Sequence, residues 1–511
     1  MNILMVYPEY PNTFWSFKHA LKFAGKKASF PPLGLLTVAS FLPKEWNVKL
    51  VDLNVEKLKD KDIEWADYIF LSAMLVQKES TLNVIERAKK FNKKIVAGGP
   101  MFTTGYKDFP FIDSIVVGEA ETVMHDLIED MDKGDLKHLY IPFRKPDMKE
   151  VPIPRWDLID FKNYASIPVQ FSRGCPFNCE FCDIIIINGR IPRTKTPEQM
   201  IKEFQSIYER GWRGSVFIVD DNFIGNKKKV KEMLKHVIKW QEERDYPFIF
   251  LTEASINLSD DEELMDLMIK ANFDKVFIGI ETPNEESLKE TGKLQNTKRN
   301  LLSSIRLLQR KGFEVMGGFI VGFDHDTKSI FDTMINFIQK SGICVSMVGI
   351  LNVLPETRLF KRLKKENRLI EISTGNNTDF SVNFIPKNMT VEELIEGYKK
   401  VVKTIYSYKY YYERLMNFIK EYVPKSKHKI TFSEFVYGAK GFLKSVLILG
   451  IIEKSRSFYW KTFIKTLFTK PKSLVKMVTL CIYGYHFKKV YDEYGYRSKK
   501  VYDRYIAQPS N

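Results

Sequence analysis

Three cysteines lie within one short run, Cys175-Pro-Phe-Asn-Cys179-Glu-Phe-Cys182. Three thiolates on one loop are typical of an iron–sulfur cluster, because each sulfur can bind a different iron of a cubane. With only three protein ligands, the fourth iron stays open to another molecule. We therefore predict that Cys175, Cys179 and Cys182 are the metal ligands of a cluster with one free position.

A structural zinc site is the alternative use of such a triplet. Structural zinc takes four ligands, usually as two pairs, and neither a second CxxC nor a nearby histidine accompanies this loop. Cys344 and Cys481 lie far away, and the five cysteines do not form the pattern of a disulfide framework. The ligand set favours an iron–sulfur cluster, and the cluster favours a reducing cytoplasm.

Length and charge divide the chain into parts. Its 511 residues predict about two to four domains. The net charge is +16, and residues 423–511 alone carry 18 basic, 5 acidic and 17 aromatic residues. The N-terminus lacks the features of a signal peptide, and no uninterrupted apolar run has the length of a membrane span. We expect a cytoplasmic protein whose basic tail and body meet different partners.

The first 150 residues alternate strand and helix patterns. Strands are predicted over 3–7, 48–53, 68–72, 94–97 and 114–117. This alternation indicates an α/β fold with a parallel sheet, in which ligands bind beyond the carboxyl ends of the strands. Those ends carry three pairs of residues, Ser72 and Leu75, Gly98 and Gly99, and Gly118 and Glu119. A flavodoxin-like domain without a ligand is the alternative.

Residues 160–375 repeat a strand–helix unit six times. The predicted strands cover 169–171, 216–219, 249–251, 276–280, 315–321 and 346–351. Six units predict a partial, open βα-barrel with polar site residues after its strands. The candidate residues are Asp220, Asp221, Asn222, Glu253, Glu281, Gly318 and Gly322. Each acidic residue could instead be a loop charge or a helix N-cap.

Residues 385–511 form the third segment. Thr390 and Glu393 make a capping box, which predicts a helix that begins there and continues to about Tyr422. Lysines then recur among apolar and aromatic residues over 442–452, 457–468 and 473–483. This composition is typical of helices that lie in a membrane interface. A basic nucleic-acid surface and a helical domain packed on the barrel are the alternatives.

Several phrases of the sequence, taken together with the cysteine loop, resemble one protein family. They are Phe14-Trp15-Ser16-Phe17, Phe30-Pro-Pro-Leu-Gly, Val219-Asp-Asp-Asn222, Thr252-Glu-Ala-Ser-Ile-Asn257 and Gln295-Asn-Thr297. The chain resembles the cobalamin-dependent radical S-adenosylmethionine (SAM) proteins that include the hopanoid C-2 methylases, and it is similar to the tetraether-lipid ring synthases. The likeness covers about residues 1–400. It implies a Rossmann-like cobalamin-binding domain over 1–150, a partial (βα)6 radical SAM barrel over 160–375 and a mainly helical domain over 385–511.

The resemblance also implies the cofactors and their contacts. A 4Fe–4S cluster would bind the three cysteines, with SAM on the open iron. SAM would contact the barrel candidates, namely Asp220, Asp221, Asn222, Glu253, Glu281, Gly318 and Gly322. Cobalamin would contact Ser72, Leu75, Gly98, Gly99, Gly118 and Glu119. The Asp-x-His-x-x-Gly motif of other cobalamin proteins is absent, so we expect cobalamin without a histidine ligand.

The activity implied by the resemblance is methylation of an unactivated lipid carbon. Such a carbon has no acidic proton, so the cofactors must do the difficult step. SAM would give a 5′-deoxyadenosyl radical and methylcobalamin the methyl group, with no side chain as nucleophile. The implied partners are a lipid, an external one-electron reductant and the inner face of a membrane. Residues 1–174 contain no cysteine for the second cluster of transfer-RNA methylthiotransferases, so nucleic acid is not expected.

Three other functions fit the same residues. A lipid ring-forming or carbon–carbon coupling enzyme would transfer no methyl group. A cobalamin or cluster sensor would bind cofactors without catalysis. A methylase of a small polar metabolite would leave the basic, aromatic tail without a role.

Overall fold

The computed structural model describes the backbone of residues 1–506 and the side chains of residues 1–494 other than Ser433. The described chain contains two six-stranded sheets and a C-terminal set of helices. The two sheets confirm the predicted α/β class, and the helices confirm the predicted character of the C-terminal region.

The N-terminal sheet is parallel, with strand order β2-β1-β3-β4-β5-β6. Its strands are β1 (Asn2–Tyr7), β2 (Asn47–Asp52), β3 (Tyr68–Ser72), β4 (Lys94–Gly98), β5 (Ser114–Val116) and β6 (Leu139–Tyr140). The central strands β1 and β3 are nearly continuous runs of buried residues, because helices cover both faces of the sheet. The sequence predicted five of the six strands, since two-residue β6 is too short to show a periodicity.

Helices lie in every connection between these strands. They are α1 (Lys18–Ala24), α2 (Leu33–Ala39), α3 (Asp60–Trp65), α4 (Lys78–Lys90), α5 (Pro100–Gly105) and α6 (Met124–Lys133).

The second sheet is the partial barrel, with strand order β14-β13-β12-β11-β10-β7. Its strands are β7 (Ile167–Val169), β10 (Gly214–Ile218), β11 (Phe248–Ala254), β12 (Phe273–Glu281), β13 (Glu314–Val321) and β14 (Ser346–Ile350). All neighbouring strands run parallel, and β7 and β14 form its two edges. Because β8 (Ser172–Arg173) and β9 (Arg193–Thr194) pair antiparallel outside this sheet, they form a separate ribbon.

The barrel helices pack outside the sheet. They are α8 (Pro197–Glu209), α9 (Lys227–Glu242), α10 (Glu262–Lys270), α11 (Glu285–Glu290), α12 (Leu301–Lys311), α13 (Ile330–Ser341) and α14 (Arg358–Lys365), whereas α7 (Ile184–Ile187) lies in the connection between β8 and β9. Alternate residues of each strand face these helices, and the residues between them face the barrel interior.

The predicted helix over 390–422 is two helices, α15 (Val391–Ile405) and α16 (Tyr408–Glu421). The capping box of Thr390 and Glu393 does begin α15. The chain breaks at Ser407, whose extended backbone begins α16. Buried Arg414 of α16 donates to the Ile405 carbonyl at 2.9 Å and so satisfies an acceptor at the end of α15. The single-helix prediction was therefore wrong at this tertiary contact.

The remaining helices are α17 (Phe432–Leu447), α18 (Arg456–Thr469) and α19 (Leu474–Ile506), and a π-helical turn, Ile448–Ile452, follows α17. The stretch Glu434–Ile452 is apolar and long enough to cross a membrane by composition, although Lys440 and Lys444 interrupt it. Only 17% of its apolar window is buried, so it is not a core helix. One such stretch does not establish a membrane span.

A buried charge cluster attaches α19 to the amino-terminal end of the barrel. Lys476 Nζ lies 2.9 Å from Asp274 Oδ2 and 2.8 Å from Glu314 Oε2. Lys275 Nζ lies 2.9 Å from the other oxygen of Asp274. Burial alone would raise the pKa of Asp274, but the two lysines outweigh burial and lower that pKa to about 2. The cluster thus holds a tail lysine inside the body of the protein.

Lys476→Met tests this attachment. The substitution leaves two buried carboxylates with one ammonium, so we expect a loss of about 3–5 kcal/mol in the free energy of unfolding. Denaturant unfolding monitored by tryptophan fluorescence measures it. Lys472→Met removes an exposed lysine nearby and should change stability by less than about 0.5 kcal/mol. Equal stability of the two variants would contradict a structural role for the cluster.

Candidate functional site

The three cysteines follow β7 at the carboxyl end of the barrel, in the connection between β8 and β9. The two strands pair Ser172 with Thr194 and Arg173 with Arg193. Gly174 opens the loop with φ +103°, and a Cβ there would lie 2.8 Å from the Ile191 carbonyl oxygen. Only glycine tolerates both conditions. The ribbon and this glycine fix where the loop starts.

The thiols form a donor set that fits a 4Fe–4S cluster. All are free, with Cys179 buried and Cys175 and Cys182 half-buried. Burial raises the pKa of each thiol, and the nearby ammonium of Lys293 acts against that rise on all three. Among the described residues, no group of three or more histidine, cysteine or acidic side chains is placed to share one ion. A cubane needs no such group, since its protein ligands bind different irons.

The turn Asp220-Asp221-Asn222 follows β10 and holds the chain that leads into the loop. Asp220 accepts hydrogen bonds from the backbone N–H groups of Phe171 and Ser172, both at 2.8 Å, and from Ser172 Oγ at 2.6 Å. Burial raises the pKa of Asp220 to about 7, against these hydrogen bonds. Its carboxylate is already occupied by the chain, so Asp220 supports the loop.

The next two residues of the turn face the loop more directly. Asp221 Oδ2 accepts from the Gly174 N–H at 3.1 Å and from Asn188 Nδ2 at 2.9 Å. Asn222 Nδ2 lies 3.9 Å from the sulfur of Cys175. The turn therefore brings an amide donor to a predicted cluster ligand.

Glu253 lies on the inner face of β11 as an unpaired carboxylate. Among the described side chains and backbone groups it has no hydrogen-bond or ion-pair partner. Burial raises its pKa to about 8, the carboxylate of Asp221 adds to the rise, and Lys293 opposes it. Such a group can bind a ligand that offers a donor or a positive charge.

Glu281 ends β12 in a left-handed conformation, with φ +63°. Its Oε1 lies 2.6 Å from Lys293 Nζ. A side chain at Gly279 would collide with both groups, so glycine is needed there for the pair to form. The structure thus brings Glu281 and Lys293 together beside the cysteine loop, but leaves Glu281 already paired.

The two predicted glycines of β13 differ in surroundings. A Cβ at Gly318 would lie 2.9 Å from the ring of Phe277, on the inner face of the barrel. Gly322 has φ +106°, and a Cβ there would lie 3.0 Å from Leu394 of α15. Gly322 therefore serves a turn and a helix contact, whereas Gly318 borders the barrel interior.

The predicted cobalamin residues gather at the carboxyl edge of the N-terminal sheet. Gly99 has φ +90°, and a Cβ there would lie 2.7 Å from Ser72 Oγ. Gly118 has φ +89° with open space where its side chain would be. Gly98 ends β4, and a Cβ at Gly375 would lie 3.0 Å from Cβ of Leu75. This glycine-lined edge is a surface that a flat ligand can approach closely.

Glu119 is paired with the cysteine ribbon. Arg193 Nη2 donates to Glu119 Oε1 at 2.6 Å, and Arg173 Nη1 donates to Oε2 at 2.8 Å. Burial raises the pKa of Glu119, but the two guanidinium groups outweigh it and lower that pKa. A second acid, Glu121, lies 2.7 Å from Arg173. These ion pairs join the carboxyl edge of the N-terminal sheet to the ribbon that carries the cysteine loop.

Sequence reasoning missed three charged groups of this site. Lys293 lies among the thiols and glutamates, and Arg173 and Arg193 flank the loop. Arg173 directly precedes the Gly-Cys start of the loop, and Lys293 stands two residues before the quoted Gln295-Asn-Thr297 phrase. These neighbouring motifs could have drawn attention to Arg173 and Lys293. The sequence does not show which acid each cation contacts.

Solved structures share this architecture. The cobalamin-dependent SAM radical enzyme OxsB, with aqua-cobalamin and SAM bound, aligns with a TM-score of 0.59 and 17% identity over 100% of this chain and 82% of that chain. The methyltransferase TsrM of Kitasatospora setae, with tryptophan and a SAM analogue, aligns with a TM-score of 0.56 and 14% identity over 71% and 76%. At these identities the likeness shows the fold.

Sequence comparisons show the family. Residues 26–128 match the B12 binding domain, 169–338 the radical SAM superfamily and 357–500 a domain of unknown function, DUF4070. The chain is 41% identical to an uncharacterized methyltransferase of Synechocystis sp., over 95% of this chain and 91% of the relative. It is 36% identical to the hopanoid C-2 methylase of Rhodopseudomonas palustris, over 75% and 73%. The chain belongs to the cobalamin-dependent radical SAM methyltransferases, whose cofactors are a 4Fe–4S cluster, SAM and cobalamin.

Proposed function

We propose that this enzyme methylates an unactivated carbon of a membrane lipid. The observation that carries the proposal is an apolar surface on the C-terminal helices, formed by α17, the following π-helical turn and α18. Its exposed residues include Phe435, Leu443, Leu447, Ile451, Ile452, Ile464, Leu467 and Phe468. Soluble proteins rarely expose apolar patches of this extent without a partner. The relative that methylates a hopanoid agrees with this substrate class.

The same surface supports a peripheral position at the cytoplasmic side of a membrane. Lys440, Lys454, Lys461 and Lys465 lie among its apolar residues, where they can meet anionic headgroups. We propose that the enzyme rests on the bilayer through this surface. An external one-electron reductant would supply electrons at the opposite end of the molecule. The predicted domains over 1–150, 160–375 and 385–511 are part of this proposal, with the last as the lipid-facing one.

The chain's own residues have three tasks in the reaction. When bound, the cofactors supply the carbon radical chemistry and the methyl group. We propose that Cys175, Cys179 and Cys182 hold the cluster, while Asp220 keeps their loop in place. Asp221, Asn222, Glu253, Glu281, Gly318 and Gly322 are the proposed SAM side, of which Glu253 has the free carboxylate. Ser72, Leu75, Gly98, Gly99, Gly118 and Glu119 are the proposed cobalamin side.

The proposed cobalamin site has no histidine ligand. Residues 1–150 contain three histidines. His125 is exposed on α6, His19 lies 3.0 Å from Glu493 of α19, and His138 directly precedes β6 at the amino-terminal side of the sheet. None of them belongs to the glycine-lined edge of the N-terminal sheet. Glu119 would act there through the two arginines that it positions, since its carboxylate is already paired.

SAM with a deuterated methyl group tests the proposed function. We expect the label in the extracted lipid when the reduced holoenzyme is incubated with bacterial membrane lipids, because methyl transfer moves the intact group. Mass spectrometry of the lipids measures it. A ring-forming enzyme would change the lipid without label, and 5′-deoxyadenosine formation with unlabelled lipid would therefore contradict the proposal.

Cysteine variants provide the matched control for this experiment. Cys179→Ala should abolish iron retention, 5′-deoxyadenosine and lipid label together, because it removes one of three cluster ligands. Cys344→Ala changes a buried cysteine outside the loop and should keep all three.

Glu253→Gln tests the unpaired carboxylate. In the folded chain its pKa is about 8, above the value of an ordinary glutamate of about 4.3, so ionising it destabilises the fold. The contribution of Glu253 to the stability of the fold is fully present below about pH 4 and is lost as pH rises towards about 8. The variant lacks this loss, and its thermal midpoint without cofactors should exceed that of the parent at about pH 8 while matching it near about pH 4.

The same variant should bind SAM about tenfold more weakly, because the ligand loses a charged acceptor. Equilibrium binding to the reconstituted protein measures this. Glu45→Gln removes an exposed carboxylate and should change neither property. A Glu253→Gln protein with parental pH dependence and parental affinity would exclude Glu253 from the site.

Vesicle binding tests the apolar surface. The double variant Leu443→Asp and Leu447→Asp places charges on its exposed face and should reduce co-sedimentation with phosphatidylglycerol vesicles on the order of tenfold. Leu82→Asp with Leu307→Asp changes two exposed leucines outside the tail and should bind as the parent does. Equal binding of both double variants would contradict membrane contact through this surface.

A further inference from the structure

A large cavity lies at the end of the barrel opposite to the cysteine loop. Its volume is about 1500 Å³. Its walls come from α1, α17, the first turns of α19 and the amino-terminal start of β10 at Gly214 and Ser215. Most of the lining is apolar, including Phe17, Leu21, Phe30, Phe435, Phe442, Val478 and Ile482. None of the proposed cluster, SAM or cobalamin contacts lines this cavity in the described structure.

The inner end of the cavity reaches the barrel interior. Leu251 of β11 and Met316 of β13 line it. Side chains two residues apart on a strand share one face, so Leu251 faces the same way as Glu253, and Met316 the same way as Gly318. The separation along each strand is about 7 Å. The cavity therefore ends just below the proposed SAM contacts.

The outer end opens on the apolar surface of the C-terminal helices. The cavity is lined by five residues that are also exposed at the surface, namely Ile430, Phe435, Tyr437, Phe442 and Val475. Residues that belong to both an internal lining and the outer surface mark its mouth. The cavity thus connects the surface proposed to meet the bilayer with the interior of the barrel.

Basic groups lie among the polar lining residues. They are Lys26, Lys162, Arg210, Arg213 and Lys275, against the acids Asp160 and Glu434. Lys26 Nζ lies 5.5 Å from the ring of Trp212 and 5.9 Å from that of Tyr437. A molecule with a hydrocarbon body and a polar or anionic end would match both parts of this lining.

We propose that this cavity binds the apolar body of the lipid substrate, which enters the barrel from its amino-terminal end. The inference rests on the proposed lipid methylation. The volume exceeds the roughly 300–1,000 Å³ of ordinary small-molecule sites, and an apolar lining favours hydrocarbon over polar metabolites. The mouth beside α17 lets a lipid pass from the bilayer without crossing the charged edge that carries the cysteine loop.

Gly438 of α17 offers a clean way to fill the cavity. It lines the cavity, and a Cβ there would meet nothing within 4 Å. Gly438→Phe should therefore place a ring in the space without a clash in the fold. Gly438→Ala keeps the space open and controls for the change in helix propensity. Gly34→Phe adds the same ring at an exposed glycine of α2 that also has nothing within 4 Å.

Binding is measured without a bilayer, so that membrane contact does not contribute. Full-length holoenzyme is titrated with dehydroergosterol delivered from cyclodextrin, a fluorescent polycyclic lipid that accepts energy from tryptophan. Trp156 and Trp212 both line the cavity. We expect saturable energy transfer in the parent, Gly438→Ala and Gly34→Phe, and on the order of tenfold weaker binding in Gly438→Phe. Equal binding in Gly438→Phe and Gly438→Ala would overturn the proposal.

Methyl transfer separates this inference from the proposed function. Gly438→Phe should raise the KM for the lipid and leave SAM binding unchanged, because the cavity lies outside the SAM contacts. A Gly438→Phe enzyme with an unchanged KM for the lipid would overturn the cavity as its route while leaving lipid methylation intact. If the parent binds the probe but transfers no label to any lipid, lipid methylation fails and the cavity remains a hydrocarbon site. The proposal would also be overturned if the cavity bound a helical peptide saturably and did not bind the lipid probe.

Discussion

The buried carboxylate of Asp220 fixes the chain that leads to the cysteine loop. Its two oxygens hold the backbone of Phe171 and Ser172, and a metal site depends on such support around its ligands. Asp221 then holds Gly174, and Asn222 holds Ser255 through its Oδ1 at 3.3 Å. One turn after β10 therefore aligns the loop with the carboxyl end of β11. The turn thus sets the path of the loop whose cysteines are the proposed cluster ligands.

The local features of the site could be predicted from sequence, because they depend on residue type and spacing. The cysteine spacing indicates a cluster, and alternating elements place Ser72, Gly99 and Glu253 at strand ends or on inner faces. The pairing of charges could not be predicted in this way. Glu119 meets Arg173 and Arg193 across 54 and 74 residues of chain, and no periodicity reports a contact between two sheets. Glu119 was predicted to contact a ligand, whereas in the structure its carboxylate is paired with those two arginines.

The C-terminal tail also shows that amino-acid composition does not predict individual contacts. Its lysines predicted a surface for anionic headgroups, yet several of them bind the protein itself. Lys476 enters the charge cluster at the barrel base, Lys444 Nζ donates to the Lys22 carbonyl at 2.9 Å, and Lys470 Nζ donates to the Lys420 carbonyl at 2.6 Å. The two interpretations of the tail, a helical domain packed on the barrel and a surface that meets lipid, are therefore compatible. α19 packs on the barrel, whereas α17 and α18 leave an apolar face exposed.

The two ends of the barrel differ in chemistry, and the difference bears on how the proposed apolar substrate can reach polar cofactors. The carboxyl end carries Asp221, Glu253, Glu281 and Lys293. Hydrocarbon that moved past these groups would remove their water or ion partners, and each buried charge left unpaired would cost several kcal/mol of free energy. The cavity at the amino-terminal end is lined mainly by apolar side chains, where each square ångström of buried hydrocarbon contributes about 25 cal/mol. Lys275, which lines the cavity, is already neutralised by Asp274. In the proposed arrangement, charged cofactors bind at one end of the barrel and hydrocarbon enters at the other. The hydrocarbon therefore does not remove water or ion partners from the charged groups at the carboxyl end.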